Sequence, residues 1–249
     1  MDLLLIIFFA FFIALIFSML GLGGAIIYTP FFFWLGLPIL TAIPMALLLN
    51  TITTTSASMT YLKLRLVDTR IAYPIIFTSV PGALLGSYLA YAANTESIIL
   101  LLSIVLFFAG LRILFFNSIG LSIGKTVREK IWVGGSTGFL IGVVSSLIGI
   151  GGGTFIVPLL LILGFEIKKA IATSSFIITF LALAGFLGHI SLGSQRLEIN
   201  LLAYTGIAAF IGAQAGSKIV FKRISPRSIN IMFATVVLLV SGKLFYGLI

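Results

Sequence analysis

Long apolar stretches, interrupted at a few points by clusters of polar residues, set the pattern of this chain. Leu3–Leu20, Ile71–Ala93, Ile98–Phe116, Leu201–Gly216 with its flanks and Ile229–Ile249 are each long enough for a helix to cross roughly 30 Å of hydrocarbon. The spacing predicts helices over 39–62, 71–92, 96–116, 167–192, 199–217 and 228–248. Two further apolar stretches, 3–37 and 131–165, resist a single-helix reading because each is cut by clustered glycines. Glycine is a poor helix former, so a cluster inside a membrane-length run implies a break.

The two glycine stretches are copies. "MLGLGGAIIYTP" (19–30) matches "LIGIGGGTFIVP" (147–158), and Gly21, Gly23, Gly24 and Pro30 fall on Gly149, Gly151, Gly152 and Pro158 at an offset of 128. Gly36 falls on Gly164 at the same offset, and "GALLGS" (82–87) matches "GAQAGS" (212–217) at 130. The chain therefore reads as a first repeat (1–116), a cytoplasmic linker (117–130) and a second repeat (131–249). In the pairs Gly82/Gly86 and Gly212/Gly216 small residues sit one turn apart on one helix face, a pattern assigned to close helix packing in lipid.

Charge decides how the halves relate. If each glycine stretch crosses the membrane once, the halves are parallel and the basic residues divide 9 inside to 6 outside. If each stretch is a hairpin that returns to its own side, the halves are inverted and the division is 13 to 2, with only Arg196 and Lys243 outside. Basic residues collect in cytoplasmic loops, so the hairpin arrangement is favoured, with both termini outside. From Gly24 to Gly36 and from Thr154 to Gly164 there is room only for half-length helices. The expected fold is all-α and polytopic: two inverted-topology repeats, each with a glycine-broken hairpin, re-entrant or half-length, plus three transmembrane helices.

Composition narrows the chemistry. The chain is 60% hydrophobic and 8% charged, against roughly a quarter charged in soluble domains. Its start has an aspartate and no base, unlike a secretory signal, so the first helix is expected to be retained. Cysteine is absent, which excludes disulfides, thiolate catalysis and Cys-ligated metals. The formal charge of +9 is accounted for by topology, and no soluble basic face exists for nucleic acid. No catalytic triad, HExxH or metal-ligand cluster is present, so neither an enzyme nor a cofactor is expected. All six acids lie near loops, which argues against a carboxylate relay or a cation path and leaves an anion as the natural cargo.

A chain reversing inside the bilayer must unwind, and its freed amides cannot face lipid. The short helix that follows begins with unpaired N–H groups and the positive end of its dipole, a backbone anion site. Short glycine-interrupted segments at matching positions of two halves point to a transporter's substrate site. The expected binding residues at the turns are Gly21, Gly23, Gly24, Ala25 and Tyr28, then Gly149, Gly151, Gly152, Gly153 and Thr154. Asn50, Thr51, Thr54 and Ser58 form a polar stripe on helix 39–62; Thr173, Ser174, Ser175 and Thr179 lie on helix 167–192; and Gln214 stands where the first half has Leu84. Of these, Asn50, Thr51, Thr54, Ser174, Ser175 and Gln214 are expected to complete the site. Ser and Thr equally hold helices together by bonding back to their own backbone. His189, the only histidine, is read as an interfacial hydrogen-bonding residue, with a proton relay as the rival role.

The two copies of "LGxGG…P", each followed by a TS-rich helix and a later GxxxG helix, resemble the TauE/SafE family of sulfite exporters and toluene-sulfonate uptake permeases. The likeness covers nearly the whole chain. It implies transport of sulfite, sulfonates or related organic anions, with the signature residues at Gly21, Gly23, Gly24 and Pro30 and at Gly149, Gly151, Gly152, Gly153 and Pro158. The first copy has Ala25 where the second has Gly153, so the turns need not be equivalent. The expected partners are a small anionic substrate and the lipid bilayer of the cell membrane, with no nucleic acid; a homo-oligomer is left open. A secondary carrier is the first reading. An anion channel and a non-transporting assembly partner are the rivals, separated from it by saturable flux and counter-exchange.

Overall fold

The computed structural model describes residues 3–115, 126–193, 197–219 and 226–246. Among them every regular element is a helix: α1 (Leu3–Leu20), α2 (Ala25–Trp34), α3 (Ile39–Lys63), α4 (Thr69–Ala92), α5 (Thr95–Phe115), α6 (Val127–Leu147), α7 (Gly153–Ile162), α8 (Ile167–Leu192), α9 (Ile199–Ile219) and α10 (Pro226–Tyr246). Six of these, α1, α3, α4, α6, α8 and α9, are long and apolar enough to span a bilayer. The protein is a polytopic helical membrane protein. Its surface matches that solvent: Phe77 is 82% exposed and Leu4 79%, while Thr53, Ser56, Ser145 and Thr173 are fully buried. Apolar side chains can face lipid freely, whereas hydroxyls gain from facing one another or backbone.

Local sequence sets several boundaries. The Asp68 carboxylate accepts from the amides of Arg70 and Ile71 and starts α4. Thr126 accepts from the Glu129 amide, and its Thr-x-x-Glu spacing is that of a capping box. Residues 127–130, read from sequence as the end of the linker, are therefore the first turn of α6. Residues 117–125 of that linker, with Lys125, lie outside the described residues, as do Arg196, Lys222 and Arg223.

The glycine stretches end one helix and start another. At Gly21 (φ +69°) and Gly149 (φ +72°) the backbone turns left-handed, and the next amides, Leu22 and Ile150, bond back to Phe17 and Ser145 oxygens at 3.1 and 3.0 Å. This is a helix C-terminal motif that an L side chain resists. The chain reverses through the following glycines. α2 then turns back and packs mainly on α3; the Tyr28 hydroxyl donates to the Ala10 carbonyl of α1 at 3.0 Å, and the Phe9 and Phe31 rings lie 5.7 Å apart. Pro30 and Pro158 are each the sixth residue of their ten-residue helix.

Helices pair across the halves. α1 packs on α9 and α6 on α4, each pair running parallel, and α3 packs on α8. A methyl at Gly212 or Gly216 would strike the carbonyls of Phe11 or Leu15, and one at Gly82 or Gly86 those of Phe139 or Val143. The GxxxG faces thus serve close packing. Gly86→Leu is expected to force α4 and α6 apart, costing about 1–3 kcal/mol; a lowered thermal midpoint in detergent checks this.

α3 and α8, the most buried of the six span-length helices, run antiparallel: Tyr61 and Ala57 sit with Ala172 and Ile171, and Leu47 lies by Gly185. α5 and α10 pack together, joined by the Ser241 hydroxyl on the Ser103 carbonyl at 2.9 Å. The charged ends follow from this pairing. Asp68, Arg70, Lys130, Glu166 and Lys169 line one pocket of about 330 Å³, and the Asp68 amide donates to Thr173. Ser217 donates to Thr60, which puts Lys218 at the same end as Lys63. Lys243 lies at the opposite end, its ammonium 4.2 Å above the Trp34 ring.

Candidate functional site

The two glycine turns touch. A methyl on Gly153 would strike the backbone of Leu22, and one on Gly151 would come within 3.3 Å of the Ala25 methyl. They are tied together further by Thr29 of α2, whose hydroxyl donates to the Gly149 carbonyl at 2.6 Å, and by Ser174 of α8, whose hydroxyl donates to the Gly21 carbonyl at 2.8 Å. Each turn is thus held by an element from the other half.

Asn50 of α3 lies between them and is fully buried. Its Oδ1 accepts from the Ala25 amide at 3.0 Å, satisfying one of the unpaired donors that open α2. Its Nδ2 faces Gly151 and has no partner. A side chain at Gly23 would overlap the amide oxygen, and one at Gly151 the amide nitrogen. So the glycines allow the reversal and also the close approach of Asn50. Gly153 differs: it lies in the first turn of α7 without a positive φ and is small because Leu22 presses on it. Its counterpart Ala25 faces Gly151 instead. The difference between the two copies of the motif records two different contacts.

Other buried polar groups stand unpartnered near the second turn. The Ser145 hydroxyl, beside Gly152, has no partner, and neither does that of Thr154 in the first turn of α7. The amides of Phe155 and Ile156 both bond the Gly152 carbonyl at 3.0 Å, leaving those of Gly153 and Thr154 as the open donors at the positive helix end. Among the Lys, Arg, Asp and Glu side chains that the structure describes, none is buried. The electrostatics of the site are those of dipoles, not of charges.

The remaining expected residues separate. Gly21, Gly23, Gly24, Ala25, Asn50, Gly149, Gly151, Gly152, Gly153, Thr154 and Ser174 come together at the two turns. Thr54 touches Gly23 with its methyl, but its hydroxyl donates to the Asn50 carbonyl at 2.8 Å. The Thr51 hydroxyl turns back to Leu47 at 2.8 Å. Tyr28 lies in α2, but its hydroxyl is used on α1. Ser175, next to Ser174, is buried with its hydroxyl unpartnered. Gln214 lies elsewhere: its amide donates to the Ser56 carbonyl at 2.8 Å and accepts from Thr60 at 3.2 Å, in the seam of α3 and α9. His189 places Nε2 3.0 Å from the Ser146 carbonyl and joins α8 to α6. Sequence reasoning passed over Ser145. The signal was present: the residue 128 positions earlier is Phe17, so the polarity belongs to one copy only.

Comparison with known proteins now bears on the site. A family model described as "Sulfite exporter TauE/SafE" matches residues 6–244. A relative from Bacillus subtilis (strain 168), "Probable membrane transporter protein YunE", is 26% identical over 92% of each chain. A "Probable membrane transporter protein" from Haemophilus influenzae is 40% identical over 32% of this chain and 31% of its own. A third, "Probable membrane transporter protein MJ0441" from Methanocaldococcus jannaschii, is 26% identical over 40% of this chain and 39% of its own. No solved structure matches the chain significantly.

Proposed function

Because this chain belongs to the sulfite exporter TauE/SafE family of membrane proteins, we propose that it is a secondary carrier of small sulfur-containing oxyanions such as sulfite or organosulfonates. The anion binds where the two glycine turns meet. The repeats are inverted, and alternating access comes from one half rocking against the other around that junction. The observation that carries this reading is Asn50, buried between the turns with its amide N–H₂ unpartnered beside Gly151. A buried donor without an acceptor costs about 1–3 kcal/mol, which an anionic guest would repay. The antiparallel pairing of α3 with α8 supports the inverted arrangement, and the return of Tyr28 and Phe31 of α2 to Ala10 and Phe9 of α1 supports the re-entrant hairpin. Nothing at the turns supplies a nucleophile with a base beside it.

A radiolabelled uptake panel in proteoliposomes tests the reading, comparing sulfite, sulfate, sulfonates and carboxylates. A carrier saturates and supports counter-exchange. Unsaturable flux without exchange identifies a channel, and no flux of any anion points to a non-transporting partner. Orientation is a separate prediction. Bases collect on the cytoplasmic side, so Lys168→Cys and Lys218→Cys are expected to label only from the cytoplasm and Glu198→Cys only from outside. The absence of native cysteine keeps that labelling free of background.

A further inference from the structure

We infer that the bound species is a monovalent oxyanion seated at the N-terminus of α7, not shared evenly between the turns. This rests on the carrier reading and specifies its site. The copies differ where it matters. At the second turn stand the hydroxyls of Ser145 and Thr154 and the Nδ2 of Asn50, all buried and without partners. The aligned residues of the first turn are Phe17, Ile26 and, for Asn50, Ile178. The Ala25 amide, which would open an equivalent site on α2, is already taken by Asn50 Oδ1. The amides of Gly153 and Thr154 remain for a ligand. Asn50 therefore closes one helix start with its oxygen and offers its nitrogen to the other.

Every donor in this cradle is neutral. Moving an ion into a low-dielectric interior costs in proportion to the square of its charge, about four times as much for a dianion as for a monoanion. Attraction to fixed dipoles grows only in proportion to the charge. With no buried cation among the described side chains and few donors, the balance favours one negative charge spread over about three oxygens, as in a sulfonate or hydrogen sulfite, over sulfate or the sulfite dianion.

The test uses the full-length protein in liposomes with radiolabelled methanesulfonate, sulfite and sulfate. Methanesulfonate is expected to move about tenfold or more faster than sulfate at equal concentration. Sulfite flux is expected to fall as pH rises through the second ionisation of sulfurous acid. Methanesulfonate, a monoanion throughout, corrects for any response of the protein itself to pH. Ser145→Ala and Thr154→Val are each expected to lower methanesulfonate flux about tenfold with the thermal midpoint retained. Equal rates for sulfate and methanesulfonate, or sulfite flux that grows with the dianion, would overturn the charge assignment while leaving the carrier intact. Unchanged flux in both variants would overturn the placement at α7. No flux of any of the three would remove the carrier reading and this inference together.

Discussion

Gly151→Val is expected to abolish transport while leaving the protein in the membrane. Gly151 holds φ +76°, and a side chain there would overlap the Asn50 amide nitrogen. The left-handed backbone costs a β-branched residue about 1–3 kcal/mol, and the collision adds about as much again. The turn must shift, and the donors facing it lose their geometry. Such a loss corresponds to about a hundredfold or more in flux. Insertion depends on the hydropathy of whole helices, which one valine does not change. Gly36→Ala is the control that separates backbone strain from crowding. It too has a positive φ, +90°, but nothing lies within 4 Å of its missing side chain. That variant bears only the strain, about 1 kcal/mol, and is expected to keep its flux within about twofold. Proteoliposome flux measured beside membrane yield decides between them, and full activity in Gly151→Val would show that the turn is not the transport site.

Asn50→Leu is expected to lose both stability and transport. Leucine matches the bulk of the side chain, so packing changes little. The Ala25 amide, however, is left buried without its 3.0 Å acceptor, which costs about 1–3 kcal/mol. The donor at Gly151 disappears as well, and with it one contact to the proposed anion. Thr205→Val provides the comparison. Thr205 is also fully buried, but its hydroxyl bonds only its own helix, at Leu201 and Leu202. Removing it strands no other donor and is expected to cost less than about 1 kcal/mol. Thermal unfolding in detergent should separate the two, with the midpoint falling clearly in Asn50→Leu and barely in Thr205→Val. An unmoved midpoint in Asn50→Leu would mean that α2 begins without help from α3.

The two variants fail for one reason. Two backbone turns and one amide side chain occupy a space that none of the described charged side chains enters. Asn50 could not reach both turns if either carried a methyl group at Gly23 or Gly151. The hydroxyls of Thr29 and Ser174 then fix the turns against each other, so that a change in one half is felt by the other. This coupling is what alternating access by rocking halves would use.

Much of this protein was determined by its sequence alone. Runs of apolar residues and the glycines that break them are local features, so the helix over 167–192 and the broken stretches at 19–30 and 147–158 were legible without neighbours. The gathering of Lys63, Arg70, Lys130, Lys169 and Lys218 at one end of the helices was also legible, because it follows from the order of the spans and not from packing. Only the tertiary structure decided what the polar side chains do. A threonine hydroxyl can bond its own helix or cross to another, and the letter is the same in both cases. Thr51 and Thr54 turn inward on α3, Gln214 is consumed by Ser56 and Thr60, and Asn50 lies between the two turns. Ser145 and Thr154 gained their significance from what stands across from them. Inside a membrane water is not there to satisfy a hydrogen-bonding group, so its role is set by the nearest partner in space, and sequence separation carries no information about that.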